Sequence, residues 1–482
     1  MAATGPAPGT VGCQGTGEPF VRAGTPAGNW VLLAVVLGSG MAFIDGSIVN
    51  VALPRIGDDL DADVSELQWI VNAYLLSLAS LILVGGGLGD RFGRRRLFHI
   101  GIGWFGAASL LCAIAQTPDQ LVLARLVQGI GGALLTPGSL AIIQASFRPA
   151  DRGKVIGQWA GLGGVAAAIG PPVGGWVIET ASWRWIFLAN VPLAIAIVVV
   201  GVRHVPESLD PDAKRGYDVL GSALGVIGLG GVTFALIEAS SSWALPFGAA
   251  GVAALAGFLL VESRSTHPLM PLHLFGSRVF SVANAMTLVV YGSLGAMTFF
   301  LVLQLQVVVG YAPWQAGLAT LPMTVVMALL SSRSGALAAR IGPRLQMSFG
   351  PLLCAGGVLW LAWVDVGSSY PLHVLPALTL FSFGMVSLVA PLTTSVLAAA
   401  PDRYAGVASG INNAVARTGS LLAVAALPGL VGLAGADYAE PAVFDTGYEK
   451  AMLVCCVLLV IGGVVSFVGL PRHASEVAPT PS

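Results

Sequence analysis

Gly86-Gly-Leu-Gly-Asp-Arg-Phe-Gly-Arg-Arg-Arg96 gathers one aspartate, four arginines and four glycines at the end of an apolar run that begins near Leu67. Glycines permit a sharp turn and close backbone approach, so the stretch reads as a charged hairpin joining two long apolar segments. A degraded copy, Gly335-Ala-Leu-Ala-Ala-Arg-Ile-Gly-Pro-Arg344, stands in the second half of the chain. It keeps Gly86 as Gly335, Leu88 as Leu337, Arg91 as Arg340, Gly93 as Gly342 and Arg95 as Arg344, and replaces Asp90 by Ala339. The same unit therefore occurs twice.

The surroundings of both copies are apolar. Of 482 residues 55% are hydrophobic and only 10% charged, with a mean hydropathy of +0.83, whereas soluble domains carry roughly 25% charged residues. Burial in a water-soluble core saturates with chain length, so the solvent for this surface is a bilayer. A membrane-crossing helix needs about 20 apolar residues. Such runs lie near 30–53, 67–88, 97–116, 121–146, 155–178, 185–203, 219–240, 246–262, 279–304, 315–338, 347–366, 371–396, 405–434 and 449–470, which makes fourteen. With the N-terminus inside, the even-numbered connections hold Arg91, Arg94, Arg95, Arg96, Arg148, Arg152, Lys154, Arg203, Lys214, Arg215, Arg264, Arg278, Arg340, Arg344 and Arg403. The opposite loops hold only Arg55, Arg184 and Lys450, beside acids such as Asp58, Asp59, Asp437 and Asp445. The positive-inside rule then places both termini in the cytoplasm. The net charge of −1 conceals this sorting and gives no reason to expect a nucleic-acid partner. Five cysteines show no metal spacing, and four lie in apolar segments as small apolar residues.

The two hairpins follow spans two and ten. If spans seven and eight are an insert, the copies fall into register. The expected architecture is an all-α integral membrane protein: a disordered tail over 1–28, an N-terminal six-helix bundle over 29–204, a linker with two extra spans over 205–265, a C-terminal six-helix bundle over 266–471 and a tail over 472–482. Repeats related in this way build transporters whose substrate site lies between the halves near the midplane.

Several motifs sit on this frame. They are Ile44-Asp-Gly-Ser-Ile-Val-Asn-Val-Ala-Leu-Pro54 in span one, Arg125-Leu-Val-Gln-Gly-Ile-Gly-Gly132 in span four and Gly170-Pro-Pro-Val-Gly-Gly175 in span five. Trp183-Arg-Trp-Ile-Phe-Leu-Ala-Asn-Val-Pro192 leads into span six. Together with the hairpin, and in this order, they resemble the fourteen-span drug:proton antiporters of the major facilitator superfamily, the EmrB/QacA type, across about 30–470. The resemblance implies the major facilitator fold and a proton-coupled secondary exporter of amphipathic drugs or antibiotics in a bacterial inner membrane. It also implies a gate in which Asp90 docks on the cytoplasmic side of the C-terminal half, near Arg403–Gly406, when the transporter opens outward. Two departures stand out. Ala166 replaces a glycine that usually precedes the Gly-Pro of span five, and 405–434 carries no acid, so export of divalent cations is not expected.

Asp45 is the one carboxylate well inside the spans of the N-terminal half. A charge at such depth costs about 2.5–3.5 kcal/mol on insertion scales, so it needs a partner or a function. Arg125, on an antiparallel span, differs from it in depth by only ~6 Å at ~1.5 Å of rise per residue, within reach of its side chain. The expected pair binds and releases the coupling proton at Asp45 under the influence of Arg125. The alternative is a static ion pair that fixes helix packing. Gly86, Asp90, Arg91, Gly93 and Arg94 are the gate residues; as topology anchors alone the arginines would not need Asp90 or Gly93. Gly157, Gly170, Pro171, Gly174 and Gly175 make span five a bent helix of small residues, suited to sealing the outer half of a cavity. Asn50, Gln128 and Arg417 are candidate cavity residues, with Gln68, Asn72 and Tyr74 weaker ones. Arg417 could receive an anionic or hydrogen-bond-accepting substrate, Arg333 could snorkel to the interface, and Glu238 reads as interfacial.

The expected partners are a small-molecule substrate, protons and the lipid bilayer, around a single-chain monomer. No metal site and no cofactor are expected, and a proton gradient serves as energy source: one proton crossing 100 mV supplies about 2.3 kcal/mol, nearly two decades of gradient. No Gly-x-x-x-x-Gly-Lys-Ser/Thr loop occurs, which argues against direct use of ATP. A narrow exporter of a self-made antibiotic or other metabolite is a second transport reading. A membrane-embedded enzyme or a sensor is remote, because the six histidines form no metal-spaced cluster and a sensor needs no gate hairpin.

Overall fold

A computed structural model describes residues 20–209, 218–265, 267–401 and 404–471. The expected tails over 1–19 and 472–482, part of the linker and Arg403 of the expected docking place lie outside the described residues. The chain folds into helices α1 (Pro26–Leu60), α2 (Val64–Phe92), α3 (Arg94–Ile114), α4 (Pro118–Ser146), α5 (Pro149–Thr180), α6 (Arg184–Leu188) and α7 (Asn190–His204). A hairpin of α8 (Val219–Ile237) and α9 (Ala244–Arg264) follows. The second half holds α10 (Arg278–Leu303), α11 (Pro313–Ala319), α12 (Leu321–Ile341), α13 (Pro343–Leu361), α14 (Leu375–Ala398), α15 (Ala405–Val431) and α16 (Pro441–Gly469). Among the described residues there is no strand beyond one isolated bridge, Val21 to Phe147.

Thirteen helical segments among these residues are long and apolar enough to cross a membrane. The helix α13 is not one of them, because its first turns carry Arg344, Gln346 and Ser348; it nevertheless packs tightly on α14, where Gly357 meets Ala377 and Phe381. Helices α1, α2, α4 and α5 are longer than the apolar runs that announced them, whereas α8 and α15 are shorter. Thr25 caps α1 through the Gly28 N–H, and an Asp63–Glu66 capping box starts α2 three residues before the expected span. Residues 20–28, expected in the disordered tail, are instead built in: the Val21 N–H donates to Ser146 O at 2.8 Å. The sixth span is broken into α6 and α7 at Ala189. The tenth is broken into α11 and α12 at Thr320, where Pro322 cannot supply an N–H to the ladder.

The two hairpin copies turn alike. Gly93 separates α2 from α3 at φ 108°, and Gly342 separates α12 from α13 at φ 82°. Both angles lie in the region that L side chains rarely adopt, so the turn glycine is the feature of the repeat that backbone geometry demands. Arg278, at the start of α10, donates to Val468 O near the end of α16 at 2.8 Å.

The halves meet at the far end. Gln68 Nε2 on α2 donates to Val424 O and Ala425 O on α15 at 2.9 and 3.0 Å. The Val64 N–H donates to Gly435 O at 2.8 Å, and Gln306 Nε2 to Val51 O at 3.1 Å. Helices α5 and α11 touch backbone to backbone: a Cβ on Gly175 would lie 2.5 Å from Pro313 O, and one on Gly317 would collide with Pro171. The α8–α9 hairpin lies against α2 and α15, fastened where Trp69 Nε1 donates to Glu238 Oε1 at 3.0 Å.

Candidate functional site

Four helices of the N-terminal half, α1, α3, α4 and α7, converge on Asp45. Successive turns of α1 direct Asp45, Ile48, Val49 and Ala52 inward, and Asp45 is only 1% exposed. Arg125 and Gln128, one turn apart on α4, face the same place, with exposures of 1% and 0%. Arg125 Nη1 donates to Asp45 Oδ2 at 2.5 Å, and Gln128 Nε2 donates to Asp45 Oδ1 at 2.8 Å. Asn190, at the start of α7, adds its Nδ2 to the same Oδ1 at 3.2 Å. Ser109 on α3 ties the donors together: its Oγ accepts from Gln128 at 2.9 Å and from Asn190 at 3.3 Å, and itself donates to Phe105 O at 2.8 Å.

The guanidinium does not depend on the carboxylate alone. Arg125 Nη1 also reaches Gln128 Oε1 at 2.6 Å, and its Nε donates to Ile70 O at 3.2 Å. Its cationic carbon sits 4.4 Å over the Tyr74 ring and 5.7 Å from that of Phe187, each a favourable position for a cation. If Asp45 takes up a proton, Arg125 keeps two carbonyl acceptors and two aromatic faces. A buried charge left with nothing would cost far more.

The hairpin site is arranged differently from the sequence expectation. Asp90 accepts from Arg94 Nε at 2.8 Å within its own half. The carboxylate that sits at a helix N-terminus is Glu207, which follows α7. It accepts the backbone N–H groups of Arg95 and Arg96 at 3.0 and 3.2 Å and lies 3.6 Å from Arg95 Nε, using the free donors and positive dipole end of α3. The Arg94 N–H donates to Ser208 O at 3.0 Å. A Cβ on Gly93 would meet the Glu207 carboxylate at 2.9 Å. Glycine is thus required there twice, for its φ and for the room it leaves.

The small residues of α5 divide into two groups. Gly170 and Gly174 press on α1, against Ser47, Ile44 and Ile48, and Gly175 presses on α11. Gly157, expected among the close-packing set, has no neighbour within 4 Å of a built Cβ, nor have Gly161 and Gly164. Asn50 stays out of the cluster, its Nδ2 turned back to Gly46 O at 3.4 Å on the open side of α1. Arg417 on α15 is partly buried and lies close enough to the Tyr74 and Tyr291 hydroxyls to act on both electrostatically. No described residue forms a hydrogen bond or ion pair with it. Arg333 is exposed near the hairpin end. Asn72 is fully buried, and both polar atoms of its carboxamide lack partners.

Sequence reasoning missed Ser109, Asn190, Phe187 and Glu207 as parts of these sites. Asn190 had a signal, as the polar residue that ends an aromatic stretch just before Pro192. Glu207 had one too, as an acid in a connection otherwise rich in cations. Ser109 and Phe187 had none, since only the folded bundle brings α3 and α6 beside α4.

The chain matches the model of the Major Facilitator Superfamily over residues 35–424. It is 34% identical over 426 residues to the Tetracenomycin C resistance and export protein of Streptomyces glaucescens, covering 85% of this chain and 78% of that protein. To the Methylenomycin A resistance protein of Streptomyces coelicolor it is 33% identical over 459 residues, covering 92% and 94%. The solved structure of a bacterial homologue of the human lysosomal transporter Spinster is similar in fold, with a TM-score of 0.65 at 17% identity over 95% of this chain and 100% of that one.

Proposed function

The chain belongs to the Major Facilitator Superfamily, a family of multi-pass membrane transporters rather than enzymes, and from that premise we propose that it is a proton-driven exporter of amphipathic antibiotics and related drugs. The observation that carries this reading is the buried Asp45 cluster. Its carboxylate is surrounded by donors from three side chains, and its cation has other acceptors waiting. A static packing pair has no use for that spare capacity, whereas a carboxylate that cycles between charged and neutral needs it.

In this reading α13 completes fourteen spans, both termini and the hairpins face the cytoplasm, and the fourteen-span antiporter type describes the chain. Residues 29–204 and 266–471 form the two bundles, and the protein works as a monomer without a cofactor. The far-end contacts then close the outer side, and the state described is open to the cytoplasm. Asp45 would release its proton inward, and Arg417, near Tyr74 and Tyr291 and without a hydrogen-bond or ion-pair partner among the described residues, would hold an acceptor or anionic group of the substrate. As the outer seal of α5 and α11 parts, Asp90 would exchange Arg94 for the start of α15.

The test is drug-dependent proton movement in inverted membrane vesicles, with and without Asp45→Asn. Loss of proton movement with retained substrate binding is expected; undiminished proton movement in the mutant would sink the assignment. A narrow substrate range is the second reading, favoured by two relatives each named for a single antibiotic. A susceptibility panel across unrelated drugs separates the two.

A further inference from the structure

Between α2, α10, α15 and the α8–α9 hairpin lies a cavity of about 430 Å³, separate from the Asp45 cluster. Its walls include Leu83, Gly225, Phe258, Leu288 and Val415. Drug-sized ligands occupy pockets of roughly 300–1,000 Å³ lined mainly by apolar groups, so volume and lining both suit an apolar body. Three buried polar atoms around it have no hydrogen-bond partner among the described residues. One is Ser80 Oγ in the wall itself. The others are Asp218 Oδ2 and Glu262 Oε1, on carboxylates only 9% and 3% exposed. Both acids lie just behind the wall, each bonded to the backbone of a wall residue. Asp218 Oδ1 accepts from the Gly221 N–H at 2.6 Å and Glu262 Oε2 from the Met270 N–H at 2.9 Å, and Gly221 and Met270 are wall residues. Unpaired buried acceptors cost free energy that a donor would recover.

We propose that the extra hairpin encloses an access site for an amphipathic compound with an apolar body and a cationic or hydrogen-bond-donating end. Such a compound reaches the site from the membrane leaflet on the hairpin side, before passing between the halves. An anionic phospholipid fits poorly, because its phosphate would meet two carboxylates. The walls are α2 and α15, which touch where Leu83 approaches Gly410 and are bonded at the far end through Gln68. Closing the hairpin end brings these two helices together and empties the site, so occupancy belongs to the inward-open state. This inference rests on the transport reading above and on its orientation.

The experiment titrates ethidium, a cationic aromatic dye, into the full chain in nanodiscs and reads its fluorescence. Gly225→Phe projects a ring into the cavity, where a Cβ has only Phe258 within 4.0 Å. It should weaken binding about ten-fold by filling the space, and Glu262→Gln about three-fold or more by removing the charge. Unchanged affinity in both overturns the proposal, as does a copurified phospholipid lost from Gly225→Phe while ethidium binding stays intact. Should Gly225→Phe fail to fold, Gly225→Cys replaces it: ethidium should slow its modification by N-ethylmaleimide, and an unaltered rate overturns the proposal. Asp45→Asn should leave ethidium binding unchanged. Failure of the access site therefore shows in binding and failure of proton coupling in vesicle efflux, so the two are told apart.

Discussion

The two hairpins share a backbone but not a chemistry. In the N-terminal half the turn at Gly93 is bound by Glu207, which takes two N–H groups of α3 and faces Arg95, while Asp90 holds Arg94. In the C-terminal half the turn at Gly342 has proline next to it, and Arg344, the counterpart of Arg95, lies 4.4 Å over the Phe467 ring. The interiors differ in the same sense. The first half encloses a carboxylate with its donors, and the second offers a lone cation, Arg417, on α15. Duplication therefore supplied two scaffolds of one shape, and the ionic machinery was built into one of them. The proposed function accordingly assigns protons and latching to the first half, and to the second the surface that the latch and the cargo would meet.

The strongest way to break this asymmetry is to remove its acid. Asp45→Asn is expected to lower proton-coupled efflux by about 100-fold or more, since a group that must change charge is gone, and vesicle pH quenching checks it. Next come the turn glycines. Gly93→Ala should destabilise the protein by about 2–4 kcal/mol, adding a collision with Glu207 to the ~1–2 kcal/mol cost of a side chain at positive φ. Gly342→Ala should cost about 1–2 kcal/mol from its positive φ, with no carboxylate of the Glu207 kind entering the account. Melting temperatures in detergent compare the two, and equal losses would remove Glu207 from the account. Glu207→Gln should cost about 1.5–3 kcal/mol, the range for hydrogen bonds to a charged group, lowered where solvent screens them. Its effect should weaken in high salt. The smallest effect belongs to Arg344→Ala, about 0.5–1 kcal/mol for an accessible cation–π contact, with transport barely altered.

Much of this was legible before folding. The span pattern, the duplication and the meeting of Asp45 with Arg125 follow from hydropathy, sequence register and helical rise, because these are local or one-dimensional quantities. Helix lengths were less legible: the Asp63–Glu66 box was present in the sequence, but apolar content alone ends a span at the hydrocarbon edge and not at the cap. The partners of a buried charge were least legible. Ser109 joins Asp45 because α3 packs beside α4, and nothing at its own position announces it; Asn190 had only the faint signal of a polar residue before Pro192. Glu207 was hidden for a similar reason. The hairpin's own glycines and arginines do not mark which acid caps the open α3 terminus, and that acid comes from the connection after α7.

The contacts of α5 have a mechanical consequence. The seal at the far end is made of carbonyls, amides and glycine backbone, namely Gln68 on Val424 and Ala425, and Gly175 on Pro313. None of these groups changes charge near neutral pH. Under the proposed function the route from the proton to the seal runs through α1. That helix carries Asp45 and is gripped at Ile44, Ser47 and Ile48, within a turn of it, by Gly170 and Gly174 of α5, with no methyl-sized slack at Ile48. Under the proposed proton coupling, a rotation of α1 that accommodates a neutral Asp45 would be handed directly to α5, and from α5 to α11 in the opposite half. Helix α1 would then be the camshaft of the machine: the proton turns it at one place, and the door moves at another.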